Sequence, residues 1–329
     1  ERAFLFFPAT LMANNNDNMT STQPSSNTFC QWSIVKCDDL FAASPSPRYM
    51  HAVVSHGNHM FLFGGTGANK DDRLWVFEFQ EPQSKGVWSV VETFNDESKP
   101  CVRWGHSMNI VGNQLIIFGG WDNSSQFNDI YLLNLSTKTW REIFPGSNVP
   151  KHRSLHSAVT THDGKVVIFG GAICAGGPYL YYDDVWIFDT KSEKFELMKT
   201  IGEAPAARAM HTAFLVNNHL MYIFGGWDGC EAYNDVHVLN LQTREWKKIE
   251  AQGELPPAFS VEAQNYRITG RQRPGVLVGD KIFFVGGPSK TQKSFSDDMY
   301  IFDLETSTWS RIYPSTKPPV EAGINEVRS

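Results

Sequence analysis

Four Arg-x-x-His pairs, Arg48/His51, Arg103/His106, Arg153/His156 and Arg208/His211, are the residues of this chain best equipped for chemistry. An imidazole beside charged groups can move protons, and several imidazoles brought together can hold a metal ion. Aspartates at 72, 129, 184, 235 and 298 add carboxylates. Spacing argues against both chemistries. Each pair occurs once per repeat unit, so equivalent histidines stand around an axis, too far apart for Zn–N bonds of about 2.0–2.1 Å. Residues recurring at one repeat position are expected to brace the repeat. The sequence offers no nucleophile–base pair, no C-x-x-C pair and no phosphate-binding glycine loop, since none of its Gly-Gly pairs opens a helix. We therefore expect no catalytic residue, no metal site and no cofactor.

The unit that must position these residues is read from five hydrophobic runs, at 61–65, 115–120, 166–171, 221–226 and 282–287, each ending in a glycine pair. The second glycines, at 65, 120, 171, 226 and 287, recur at a period that belongs to radial β-architectures. Within a unit the Arg-x-x-His pair leads into alternating apolar residues, a tight turn such as 111–114 or 161–164, and then the run ending in Gly-Gly. A loop follows, then a strand opened by aspartate, a short turn, and an outer strand marked by Trp88, Trp140, Phe195, Trp246 or Trp309. Four strands without helical periodicity between them make a four-stranded antiparallel blade, and blades pack radially into a propeller. Glycine suits a strand end in close approach to a neighbour, and aromatics fill the wedge between blades.

From Trp32 to Trp309 the chain resembles the kelch repeat family, on the strength of five Gly-Gly pairs, the aromatic or histidine that follows each aspartate, and the outer Trp or Phe. The resemblance implies an all-β, kelch-type β-propeller. Trp32 matches an outer strand with no inner strands before it, and Arg328-Ser329 matches Arg153-Ser154. Two architectures fit: five full blades plus one outer strand of a sixth, or a closed five-bladed ring with Trp32 on an added edge strand. Residues 1–28 read as a disordered leader, 29–313 as the propeller and 314–329 as a tail that starts a truncated sixth repeat. The family implies a protein–protein interaction module, an adaptor or a subunit of a larger assembly. Plant specifier proteins are kelch propellers that use iron at Glu-x-x-x-Asp-x-x-x-His. Here Glu231 and Asp235 match, but Leu239 stands where histidine is required, leaving an iron-dependent enzyme of that kind as the alternative.

In an up-and-down blade with strands a to d from the axis outward, the b–c and d–a loops share one face and the a–b and c–d turns the other. The long, dissimilar loops fall on the first face: 66–71, 121–128, 172–183, 227–234 and 288–297 between b and c, and 94–102, 144–152, 198–207 and 250–272 between d and a. Loops displayed by a rigid scaffold are where binding residues concentrate. The candidates there are Trp104, Trp121, Asp122, Tyr179, Tyr181, Tyr182, Trp227, Asp228 and Tyr266, with Arg48, Arg103, Arg153, Arg208 and Arg271, residue types that anchor interfaces. The expected partner is a protein, either an acidic peptide met by the arginines or a subunit of an assembly. A net charge of −6 over 329 residues carries no basic excess for nucleic acid or an anionic membrane. Five cysteines without a C-x-x-C pair suit a reducing, cytoplasmic compartment, with a cytoskeletal or ciliary assembly included in that expectation.

Overall fold

The computed structural model describes residues 36–37, 44–67, 71–80, 85–174, 178–257, 274–286 and 298–312. Each apolar run forms an inner strand because alternate side chains of a strand point to opposite faces, and here both faces are buried. Among the described residues five blades arise in this way. Strands a to d are Ala52–His56, His59–Phe63, Trp75–Gln80 and Lys85–Val90 in blade 1, and Ser107–Val111, Gln114–Trp121, Gln126–Asn134 and Thr139–Ile143 in blade 2. Blade 3 comprises Ser157–Thr160, Lys165–Phe169, Val185–Asp189 and Lys194–Met198; blade 4, Thr212–Val216, Leu220–Trp227, Ala232–Asn240 and Glu245–Ile249; blade 5, Gly275–Val278, Lys281–Val285, Met299–Asp303 and Thr308–Ile312. Every blade is antiparallel in the order d, c, b, a, and the helical content of the described residues is one 3-10 turn, Asp96–Ser98.

The core lies in the wedges. In blade 2, Leu115 and Ile117 pack with Phe61 and Phe63 of blade 1, while Ile116 and Phe118 pack with Val166 and Ile168 of blade 3. Analogous clusters join blade 3 to blade 4 and blade 4 to blade 5. Trp140, Trp246 and Trp309 seal the outer end of these wedges, each nearly inaccessible to solvent.

Three two-residue strands run parallel to outer strands: Lys36–Cys37 on blade 1, Ile201–Gly202 on blade 4 and Gln252–Gly253 on blade 5. The latter two follow the outer strand of one blade and pair with the outer strand of the next, tying neighbouring rims together. Ile201 lies six positions after Phe195 and pairs one position before Trp246; Gln252 lies six after Trp246 and pairs one before Trp309. Lys36 lies four after Trp32 and pairs three before Trp88, the same total offset. Trp32 itself, with the lone outer strand expected around it, falls outside the described residues.

The glycine pairs owe their place to the neighbouring blade. The N–H of the second glycine donates to the carbonyl of the next blade's arginine, 2.9 Å in each case: Gly65 to Arg103, Gly120 to Arg153, Gly171 to Arg208. That carbonyl leaves no room for a side chain on the first glycine. A Cβ on Gly119, at φ +66°, would stand 2.8 Å from the Arg153 oxygen.

Candidate functional site

Each repeated arginine is a clasp inside its own blade. Arg103, Arg153 and Arg208 are almost fully buried. The Arg103 guanidinium donates to Asp129 through two nitrogens, to the Gly119 carbonyl and to the Cys101 carbonyl. Arg153 does the same with Asp184, Gly170 and Lys151, and Arg208 with Asp235, Gly225 and Ala206. An aromatic at or just before the start of strand c covers each guanidinium: Phe127 at 4.3 Å, Tyr182 at 4.5 Å and Tyr233 at 4.0 Å. In blade 1, Arg48 meets Gly64 and Asp71 rather than Asp72, the aspartate read as opening the strand, and Asp71 also accepts from Arg73 and the Trp75 indole. Burial, the largest influence on the Asp71 carboxyl, pushes its pKa up, but the bonds from Arg73, Trp75 and Arg48 together hold it below the usual range. Asp235 is likewise held at about 2, its bonds from His237 and Arg208 outweighing burial.

The histidines link blades. Each lies edge-on to the preceding blade's strand-b phenylalanine: His106 to Phe63, His156 to Phe118 and His211 to Phe169, with centroids 5.5, 5.2 and 5.1 Å apart. His156 Nε2 shares a 3.0 Å hydrogen bond with Ser107 Oγ, and His211 Nε2 a 2.8 Å bond with Ser157 Oγ. His106 finds Ala52 at the equivalent position and leaves its ring nitrogens unbonded. Burial first, and the neighbouring arginine second, lower these histidines to about 4 at His51 and about 3 at His106 and His211. Among the described residues, no group of three His, Cys, Asp or Glu side chains is placed to hold a metal ion.

Among the described residues, a series of three backbone bonds links blades 1 to 4. Gly105 N–H donates to Met50, Leu155 to Gly105 and Met210 to Leu155, at 2.7–2.9 Å, all four residues at positive φ. The residue before each one pairs with its own b–c loop: Tyr49 with Thr66, Trp104 with Trp121, Ser154 with Ala172, Ala209 with Trp227. These pairs carry the candidate residues. The Trp104 and Trp121 rings lie 4.5 Å apart, both half-buried, with the Trp104 indole donating to Asn123. Trp227 is 8% exposed. Tyr179 and Tyr181 pack on Ala172, Ala209 and Met210, and Tyr181 lies over Gly229 of the next b–c loop. Gln126 joins the loops of blades 2 and 3 through Ser154, Ala172 and the Cys174 N–H.

Asp122 and Asp228 each cap a turn, Asp122 accepting from the N–H groups of Ser124 and Ser125, Asp228 from those of Cys230 and Glu231. The structure thus brings Trp104, Trp121, Asp122, Tyr179, Tyr181 and Asp228 to the loop face, and turns Arg48, Arg103, Arg153, Arg208 and Tyr182 inward. Tyr266 and Arg271 lie outside the described residues. Sequence reasoning missed Tyr49, 41% exposed, and Leu180, 55% exposed. Tyr49 was visible in the repeat, since it occupies the Trp104 position after the arginine. Leu180 is placed by the short pairing of Ala172–Ile173 with Leu180–Tyr181.

A radial array of such blades, with its glycine pairs and outer tryptophans, defines a kelch-type propeller. The KLHDC2/KLHL20/DRC7 Kelch-repeats domain model matches residues 16–220 and 87–265, and the chain belongs to the kelch-repeat family. Its relatives include Kelch domain-containing protein 3 of Bos taurus, 30% identical over 269 residues, which cover 79% of this chain and 66% of that protein. Tip elongation aberrant protein 1 of Schizosaccharomyces pombe is 32% identical over 204 residues, 58% of this chain and 17% of the relative. The flagellar outer arm dynein alpha chain of Chlamydomonas reinhardtii is 30% identical over 67% of this chain and 5% of its own length. The chain thus spans less than two thirds of the relatives it matches. Among the described residues, no helix is long and apolar enough to cross a membrane.

Proposed function

We propose that this propeller is a protein-docking module whose partner seats on the b–c and d–a loop face, and that it serves as an adaptor or as a subunit of a larger assembly in the cytoplasm. The observation that carries the reading is the Trp104–Trp121 pair: two half-exposed indoles held by a pair of backbone hydrogen bonds of 2.8 and 2.9 Å at a stiff strand end. Side chains fixed in this way lose little entropy on binding. Relatives whose names place them in assemblies, such as the flagellar dynein chain, are consistent with it. The iron-dependent alternative gains nothing from Asp235, whose oxygens serve Arg208 and His237.

The test is affinity capture of partners on the wild-type chain, followed by affinity measurement with Trp121→Ala. Truncating a central aromatic anchor costs about 2 kcal/mol or more, roughly thirtyfold in affinity. Unchanged affinity in a variant carrying both Trp104→Ala and Trp121→Ala, with parental melting, would remove the loop face from the contact.

A further inference from the structure

Among the described residues, the loop face has the opposite charge from what its arginines suggest. Arg48, Arg103, Arg153 and Arg208 direct their donors into the blades. Once they are withdrawn, the solvent-facing ionisable groups of the described b–c loops are Asp72, Asp122, Asp183, Asp228 and Glu231, with Arg73 the cation among them, itself bonded to Asp71. The d–a segments repeat the bias: Glu92, Glu97, Glu203 and Glu254 face Lys151 and Lys199, while Lys99 is engaged by Asp72 and Asp96. Hydrogen bonds within their turns lower the carboxyls of Asp122 and Asp228 against the effect of burial, so both stay charged at neutral pH. A recess lined by Asp72, Cys101, Val102, Asp122, Asn123 and Ser124 opens beside the tryptophan pair.

Aromatic faces next to carboxylates are a receptor for guanidinium and ammonium groups, because the ring quadrupole and the carboxylate attract the same cation. The protein builds this combination internally, where Arg153 lies between Tyr182 and Asp184 and Arg208 between Tyr233 and Asp235. On the loop face the same ingredients stand without the arginine. We propose that this face docks a cationic peptide segment, with arginine or lysine side chains lying on the Trp104–Trp121 pair and on Tyr181, fenced by Asp122, Asp183 and Glu231. The proposal rests on the loop-face reading above and adds the chemistry of the occupant; it replaces the acidic peptide expected from sequence.

The experiment measures fluorescence anisotropy of three labelled peptides, repeats of Arg-Gly, Glu-Gly and Ser-Gly, against the full chain. Arg-Gly should bind at least tenfold tighter than Ser-Gly, with affinity falling as salt rises. A variant carrying Asp122→Asn, Asp183→Asn and Glu231→Gln keeps side-chain shape and the turn acceptors, and should lose roughly tenfold. A control with Asp163→Asn, Asp280→Asn and Glu305→Gln removes the same charge from the opposite face and should lose little. Equal losses in the two variants would reduce the binding to the protein's overall charge and overturn the proposal. Absence of Arg-Gly binding, or a preference for Glu-Gly, would also overturn it. A Glu-Gly preference abolished by Trp121→Ala would leave the loop-face reading standing, whereas peptide binding indifferent to Trp104 and Trp121 would count against both.

Discussion

Burial and the adjacent guanidinium keep His106 and His211 at about 3, and His51 at about 4, where an unperturbed imidazole titrates near 6.5. The folded state holds these rings neutral while the unfolded chain is free to protonate them, so unfolding takes up protons between the two values. Their contribution is fully present above pH 6.5 and is lost as pH falls from 6.5 toward 3–4. The melting temperature should therefore be flat above neutrality and decline steadily below about pH 6.5; a constant value down to pH 4.5 would contradict the neutral, buried state of these histidines. A second outcome turns on Ala52. Placing a hydroxyl where Ser107 and Ser157 already serve the next two histidines gives His106 Nε2 its missing partner, and Ala52→Ser should stabilise by about 0.5–1.5 kcal/mol in thermal denaturation. An unaltered or lower melting temperature would show that the His106 site does not admit the bond.

At the scale of the strand, Gly119→Val forces a β-branched side chain into positive φ and against the Arg153 carbonyl, and should cost on the order of 1–3 kcal/mol or more. Ser124→Ala, on an exposed loop, should stay within about 0.5 kcal/mol. Equal melting temperatures would remove the close approach as the reason for the glycine. What could be read from sequence follows the same division. The blades were legible because Gly-Gly, aspartate and outer tryptophan recur at fixed offsets, and recurrence exposes a shared structural duty. The bracing role of Arg103 and His106 was legible on that ground as well. Their partners were less so, since the Arg153 carbonyl meets Gly120 across a blade boundary that no local pattern marks. Asp71 and Asp72 are adjacent, and only the geometry of Arg48 separates them. The parallel rim strands are two residues long, too short for any periodicity. Arg103, Arg153 and Arg208 read as surface groups in the sequence because the aspartates and glycine carbonyls that bury them lie 16 or more positions away along the chain.

For the whole molecule, the arginine clasps tie each blade to the one before it. Arg208 holds Asp235 and Gly225 of its own blade through its side chain, and Gly171 of the preceding blade through its carbonyl. Replacing it with methionine would leave Asp235 with His237 alone in place of its two-nitrogen partner, at a cost of about 3–5 kcal/mol, and should lower the melting temperature of the chain as one calorimetric transition. Separate melting of blade 4 ahead of the rest would show the blades to be independent. The series of backbone bonds from Met50 through Gly105 and Leu155 to Met210 has a further, mechanical consequence. It crosses the seams close to the axis, the glycine stitches cross the same seams at the strand ends, and rim strands cross two of the outer seams. A pull that separates two neighbouring blades therefore loads several bonds at once, not one after another. A partner gripping loops of adjacent blades would find a stiff coupling, able to pass tension across a seam without a change of shape.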